Sequence, residues 1–190
     1  MLIYPEGFSK TQEIFMFRKI LVAIDCSKFS KRVFEEALAQ AKANAASLMV
    51  LHILSPDEED CPDTSGLLNT YYYAGTNSEA AQHCQKMWEE FSQKGLKMVR
   101  AHAAEAIAAG VNAEYSQKLG NPGRTICDVA RTWEADLIVI GRRGHSGLSE
   151  LFLGSVSNYV LHYAPCSVLT IQKALETAGY TTRPLDKQFN

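Results

Sequence analysis

The chain has no long apolar run, no excess of positive charge and no paired cysteines, and each absence removes a class of function. No stretch of its 190 residues approaches the roughly 20 apolar positions that span a bilayer, and the opening "MLIYPEGFSKTQ" lacks the basic-then-apolar layout of a secretory leader. A soluble, cytoplasmic protein without membrane contact is the expectation. Lysine and arginine number 19 against 21 acidic residues, a formal net charge of -2, which provides no basic field for holding DNA or RNA. No nucleic-acid partner is expected. The five cysteines are odd in number and scattered without a C-x-x-C pair, a pattern of reduced thiols in a reducing compartment. Cys127 and Cys166 lie in apolar segments and are expected in the core. His83 and Cys84 are adjacent, so on a helix they point about 100° apart and offer no zinc site. Two catalytic motifs are missing as well. There is no G-x-x-x-x-G-K-[ST], which removes the P-loop mechanism, and "GHSG" at Gly144 to Gly147 is one residue short of a G-x-S-x-G nucleophile elbow.

What is present is apolar content of 46%, enough to bury the core of one domain. "FRKILVAID", Phe17 to Asp25, is short, branched and continuous, the pattern of a buried parallel strand. "KFSKRVFEEALAQAKANA" then places Phe29, Val33, Ala37, Leu38 and Ala41 at helical spacing, with Ser27 or Ser30 available as the cap. "SLMVLHIL" from Ser47 to Leu54 is a second buried strand. Residues 55–76 break the pattern with an acidic cluster, prolines and Tyr71, Tyr72 and Tyr73. This insert reads as irregular, its carboxylates solvated and its tyrosines either a lid or packing for a neighbouring helix. A long helix runs from near Asn77 to Gly110 with Gly95 as an interruption. "VNAEYSQKLG" alternates like a strand at a sheet edge, and "NPGRTICDVARTWEA" opens a helix with Asn121 as cap and Pro122 in first position. "DLIVIG" is the fourth strand, "GSVSNYVLHYA" a helix stopped by Pro165, and "CSVLTIQ" the fifth strand. Residues 1–16 form an N-terminal extension, 17–172 one domain carrying the insert, and 173–190 a polar tail. Alternating strands and helices with right-handed crossovers give an α/β fold, an open five-stranded parallel sheet of order 3-2-1-4-5 with helices on both faces.

Such sheets bind ligands outside the carboxyl ends of strands where successive connections diverge. Strand one ends there in Asp25-Cys26-Ser27 and strand four in Gly141-Arg142-Arg143-Gly144. Gly141 lets the strand end turn, Gly144 tolerates positive φ and close approach of a ligand, and Gly154 and Ser155 offer backbone N–H groups at a helix start, where an anion is favoured. The Ser155 hydroxyl suits a phosphate or a helix cap. Arg142 and Arg143 can add charge or sit in solvent, and His145 is the histidine placed near the phosphates, whereas His52 and His162 read as structural. Asp25 suits a ribose hydroxyl or a metal carried by the phosphates; capping the following helix with Ser27 is its plainer role.

The spacing G-x2-G-x9-G-[ST] at Gly141, Gly144, Gly154 and Ser155 resembles the ATP-binding branch of the universal stress protein family. "KILVAID", "SLMVLHI", "GNPGRTI" and "DLIVIGRRGHSGLSELFLGSVSNYVL" extend the resemblance from about Phe17 to Gln172. It implies a fold of the adenine nucleotide alpha hydrolase type, with ATP, accompanied by Mg2+, in the crevice between strands one and four. By position it implies Asp25 at the ribose or metal, the Ile53 backbone at adenine and Ala23 lining the nucleoside. Gly141, Gly144, Gly154, Ser155 and Val156 would surround the phosphates. The function implied is an ATP-dependent regulator of a stress response with at most slow hydrolysis, since no catalytic base is assigned. The resemblance further implies a homodimer formed through the fifth strand, here Cys166 to Gln172. Two alternatives stay open: a homodimeric assembly or chaperone-like protein without a physiological nucleotide, and a sensor of a cyclic nucleotide.

Overall fold

The computed structural model describes residues 16–56, 58, 61–62, 79–142 and 154–172. The extension before residue 16, the tyrosines of the insert, Arg143, Gly144, His145 and the tail lie outside the described residues. Apolar, branched sequence forms the three central strands β1 (Lys19–Ile24), β2 (Ser47–Leu54) and β4 (Leu137–Gly141), which are buried along nearly their whole length. Strand β3 (Ala113–Leu119) and strand β5 (Ser167–Ile171) are shorter of apolar residues, more exposed, and stand at the two edges. All pairings are parallel and the order is β3-β2-β1-β4-β5, as the strand and helix alternation implies.

Among the described residues four helices cover the sheet: α1 (Ser30–Ala43), α2 (Glu79–Ala108), α3 (Pro122–Trp133) and α4 (Ser155–Tyr163). Because side chains alternate along a strand, Ile20, Val22, Leu48 and Val50 pack with Phe34 of α1 and Val99 of α2 on one face. Leu21, Leu51 and Ile138 pack with Ile126 of α3 and Val160 of α4 on the other. Asn121 caps α3 as its sequence suggests, accepting the Arg124 backbone N–H at 3.1 Å with Pro122 at the first position.

Three local expectations are corrected. Gly95 does not interrupt the long helix; α2 runs unbroken from Glu79 to Ala108. A Cβ at Gly95 would stand 2.4 Å from the His52 ring and 2.6 Å from Gln117 Nε2, so the glycine serves close packing. Neither Ser27 nor Ser30 caps α1, whose N-cap residue is Phe29 without a side-chain bond; both serines are engaged by Asp25 instead. Cys127 is buried in the core, but Cys166, next to edge strand β5, is only half-buried. Among the described residues, no helix is long and apolar enough to cross a membrane.

Candidate functional site

At the carboxyl end of the sheet, β1 and β4 lie side by side and their connections leave to opposite faces, α1 covering one and α4 the other. The β1 connection is shaped by one side chain. Asp25 Oδ1 accepts the Ser27 backbone N–H at 3.0 Å and the Ser30 hydroxyl, while the Asp25 backbone N–H donates to Ser30 Oγ at 3.0 Å. This is the Asx-type turn that a short carboxylate makes with the amide two residues on. Among the described residues its second oxygen, Oδ2, has no hydrogen-bond partner, and Asp25 lines the crevice.

The β4 connection is shaped by backbone. A Cβ at Gly141 would meet Val33 Cγ2 at 3.2 Å and Phe29 Cδ1 at 3.3 Å, so this glycine lets β4 close against α1. Further on, the Gly154 N–H donates to the Arg142 carbonyl at 3.1 Å, and the Ser157 hydroxyl donates to the same carbonyl at 3.0 Å. The two ends of the intervening segment are thus tied together. Two expectations change here. The Gly154 N–H is not free for a ligand, because it holds Arg142. Nor does Ser155 cap the helix: Gly154 occupies the cap position and Ser155 follows as the first helical residue with an exposed side chain. The backbone N–H groups of Ser155 and Val156 lie in the first turn of α4, where no intrahelical partner exists, and they carry the positive end of the helix dipole.

Between these connections lies a cavity of about 300 Å³. Of the residues singled out from sequence, Ala23, Asp25, Ile53, Gly141, Ser155 and Val156 line it. Arg142 and Gly154 are not among its lining residues; they are hydrogen-bonded to each other. Gly144 lies outside the described residues. Pro122 and Ile126 of α3, with Leu51 and Ile140, give the cavity an apolar wall, a surface suited to a flat ring system.

Sequence reasoning missed a polar cluster at the rim. His52, read only as structural, has a fully buried side chain, and Glu58, read as a solvated acid of the insert, has a side chain only 7% exposed. The His52 Nε2 atom is 3.0 Å from Glu58 Oε1 and 3.1 Å from Oε2, and the Cys26 backbone N–H donates to Oε1 at 2.9 Å. Gln117 Nε2 donates to the Ser92 carbonyl at 3.0 Å and meets His52 Nδ1 at 3.1 Å. An amide nitrogen only donates, so Nδ1 accepts and the His52 proton sits on Nε2, directed at Glu58. Burial first, then the charge of Glu58 and a hydrogen bond to it, push the Cys26 thiol up to about 12. The Cys26 sulfur, a His52 ring nitrogen and a Glu58 oxygen lie within 4.8 Å of one another. The available signal was a histidine in an apolar strand opposite a glycine in a helix, legible only once the two are known to face each other.

Residues 16–172 match the family model described as "Universal stress protein family". The chain is 37% identical over 158 residues to universal stress protein Sll1388 of Synechocystis sp., covering 82% of this chain and 98% of that one. It is 35% identical over 158 residues to universal stress protein YxiE of Bacillus subtilis, covering 83% and 100%. Among solved structures, universal stress protein UspA from Lactobacillus plantarum superposes with a TM-score of 0.62 at 24% identity, over 81% of this chain and 97% of that one. A universal stress protein from Archaeoglobus fulgidus in complex with dAMP gives a TM-score of 0.53 at 20% identity, over 82% and 98%. At these identities the solved structures speak for the fold alone.

Proposed function

The chain belongs to the universal stress protein family, and on that premise we propose that it is an ATP-binding regulator within a unit spanning residues 17–172. The observation that carries this reading is the cavity between the ends of β1 and β4, which gathers Asp25, Ile53 and the first turn of α4 around one space. Its volume of about 300 Å³ stands at the lower end of small-molecule sites. The dAMP complex of a protein with the same fold is consistent with an adenine nucleotide there.

The residues fit the parts of such a ligand. Leu51, Ile126 and Ile140 offer apolar contact for a base, and the backbone of Ile53 at the end of β2 offers polar atoms to its edge. Asp25 keeps an oxygen for a ribose hydroxyl or for Mg2+. The amides of Ser155 and Val156, with the exposed Ser155 hydroxyl, suit phosphate oxygens by charge and hydrogen bonding. Gly144 belongs to the same proposal from its sequence spacing; Arg142 and Gly154 act indirectly, holding the connection closed. A bound triphosphate with Mg2+ would supply an activated phosphoryl group.

The described lining groups are suited to hold a ligand. Among the described lining residues the ionisable ones are Asp25 and Glu58, and each is engaged, Asp25 by Ser27 and Ser30 and Glu58 by His52 and Cys26. Hydrolysis needs a positioned water and stabilisation of transition-state charge, which this arrangement does not assign. Binding with slow hydrolysis at most, coupled to a stress-related partner, is the proposed activity.

Calorimetry of ATP, ADP, AMP and cyclic AMP with nucleotide-stripped protein, with and without Mg2+, tests it. Affinity should fall as phosphates are removed. Ser155→Trp, a bulky side chain at an exposed residue lining the cavity, should weaken ATP at least tenfold, or about 1.4 kcal/mol, with an unchanged circular dichroism spectrum. No ATP binding at millimolar concentration would remove the proposal; preference for cyclic AMP would replace it with a sensor.

A second reading rests on β5, which pairs only with β4 and leaves its other edge open among the described residues. Open edges invite pairing, and a homodimer through Cys166 to Gln172 would cover this one. If ATP does not bind while the protein sediments as a stable dimer, the assembly or chaperone-like role takes precedence.

A further inference from the structure

We propose that Cys26, His52 and Glu58 form a binding site for a divalent transition-metal ion of the zinc type. The three residues come from separate parts of the chain: the turn after β1, the end of β2 and the insert. Only the tertiary structure brings their donor atoms within 4.8 Å of one another, and no other such group of three occurs among the described residues. A thiolate, an imidazole and a carboxylate are the ligand types that borderline divalent ions select over magnesium or calcium. Three protein ligands leave a fourth position for water or a small molecule. Glu58 also lines the cavity between the ends of β1 and β4, so the cluster adjoins that cavity through this residue.

The surroundings hold the donors in place. Glu58 is fixed by the Cys26 backbone N–H at 2.9 Å, and His52 by Gln117 at 3.1 Å on the ring nitrogen facing away from Glu58. A metal-bound histidine donates its second N–H to a neighbour; in the metal-free chain the contact runs the other way, Gln117 donating to Nδ1, and it must reverse when an ion occupies Nε2. Gly95 gives α2 the clearance to seat the ring. The carboxylate is held by an imidazole N–H and a backbone N–H, both neutral, and its side chain is only 7% exposed; the Lys94 ammonium acts on the neighbouring Cys26 from a distance.

The proton count is specific. Without metal, the His52 proton on Nε2 points at Glu58 and the Cys26 thiol keeps its own. A divalent ion takes the place of both protons. The thiol proton leaves to solvent, whereas the imidazole stays neutral and carries its proton on Nδ1; the Gln117 amide turns its oxygen to that proton and gives up its hydrogen bond to the Ser92 carbonyl. Thiolate plus carboxylate then neutralise the ion's two charges.

The test uses the full chain, nucleotide-free, reduced and stripped of metal, titrated with Co2+ as the spectroscopic probe and then with Zn2+. The proposal expects saturation at one Co2+ per chain, a thiolate-to-cobalt charge-transfer band, release of one proton per ion, and displacement by Zn2+. Cys26→Ser should lose the band, and Glu58→Gln should lower the affinity at least about tenfold. Both residues lie in connections outside the strands and helices, so they carry the test if a His52 variant fails to fold. Absence of the band in the native chain, its survival in Cys26→Ser, or cobalt uptake without proton release overturns the proposal. The site does not depend on the nucleotide reading: a protein that takes up cobalt but no ATP keeps one and loses the other.

Discussion

The two faces of the sheet are filled by different means. Beneath α3 and α4 the core is apolar, Leu21, Leu51 and Ile138 meeting Ile126 and Val160 with Cys127 as a small filler. Beneath α1 and α2 an apolar core of similar kind surrounds a hydrogen-bonded polar insertion, His52 and Gln117 under Gly95, while His102 lies tilted against Phe34 with ring centroids 4.3 Å apart and its buried Nδ1 has no hydrogen-bond partner among the described residues. An apolar contact tolerates small displacements, but a buried polar group must keep its partner. The first face is therefore held by volume and the second by position as well, and the polar side carries the cluster at the rim of the cavity.

The largest effect should be common to both faces. Ile138→Ala on the apolar face and Ile20→Ala on the other remove side chains that are 0% exposed, and each should cost about 2–5 kcal/mol by chemical denaturation. A large inequality would break the view that volume counts equally on both.

Next, Gln117→Leu leaves the buried His52 Nδ1 without its donor and should cost about 1–3 kcal/mol, read by the same denaturation. Gly95→Ala follows. Its new methyl would fall 2.4 Å from the His52 ring, an overpacking cost of about 1–3 kcal/mol, offset by about 1 kcal/mol of helix propensity. A net loss of about 0–2 kcal/mol is expected. If Gly95→Ala were stabilising, the close fit of α2 over His52 would be wrong.

The smallest effect is a pH dependence confined to the polar face. Burial against Phe34 lowers the His102 pKa below 6.5, outweighing the opposite pull of Glu105, with Lys31 adding to the lowering. A histidine depressed in the folded state binds its proton more readily when unfolded, so stability rises with pH through the window between the depressed value and 6.5. Acidification below 6.5 should lower the melting temperature, and His102→Phe should flatten that dependence; an unchanged slope would dissociate it from His102.

Much of this architecture is legible in the residues themselves. The period-free apolar runs of β1, β2 and β4 mark buried parallel strands, and Asn121-Pro122 marks the start of α3, because burial and capping act over a few neighbouring residues. The alternation of elements then leaves few topologies, and the strand order follows. Asp25, Gly141 and Ser155 were also within reach, since their chemistry stands at the ends of recognisable strands and at a helix start.

Partners distant in the chain were beyond that reach. Nothing near Gly95 says that it clears space for His52, and nothing near Glu58 distinguishes it from the other acids of its segment. The use of the Gly154 N–H by Arg142 was hidden for the same reason. Local patterning sets which segments become strands and helices because hydrogen bonding and apolar periodicity are properties of adjacent residues. Which glycine packs, which carboxylate is buried and which amide is already taken depend on contacts between segments, and these exist only after the sheet has closed.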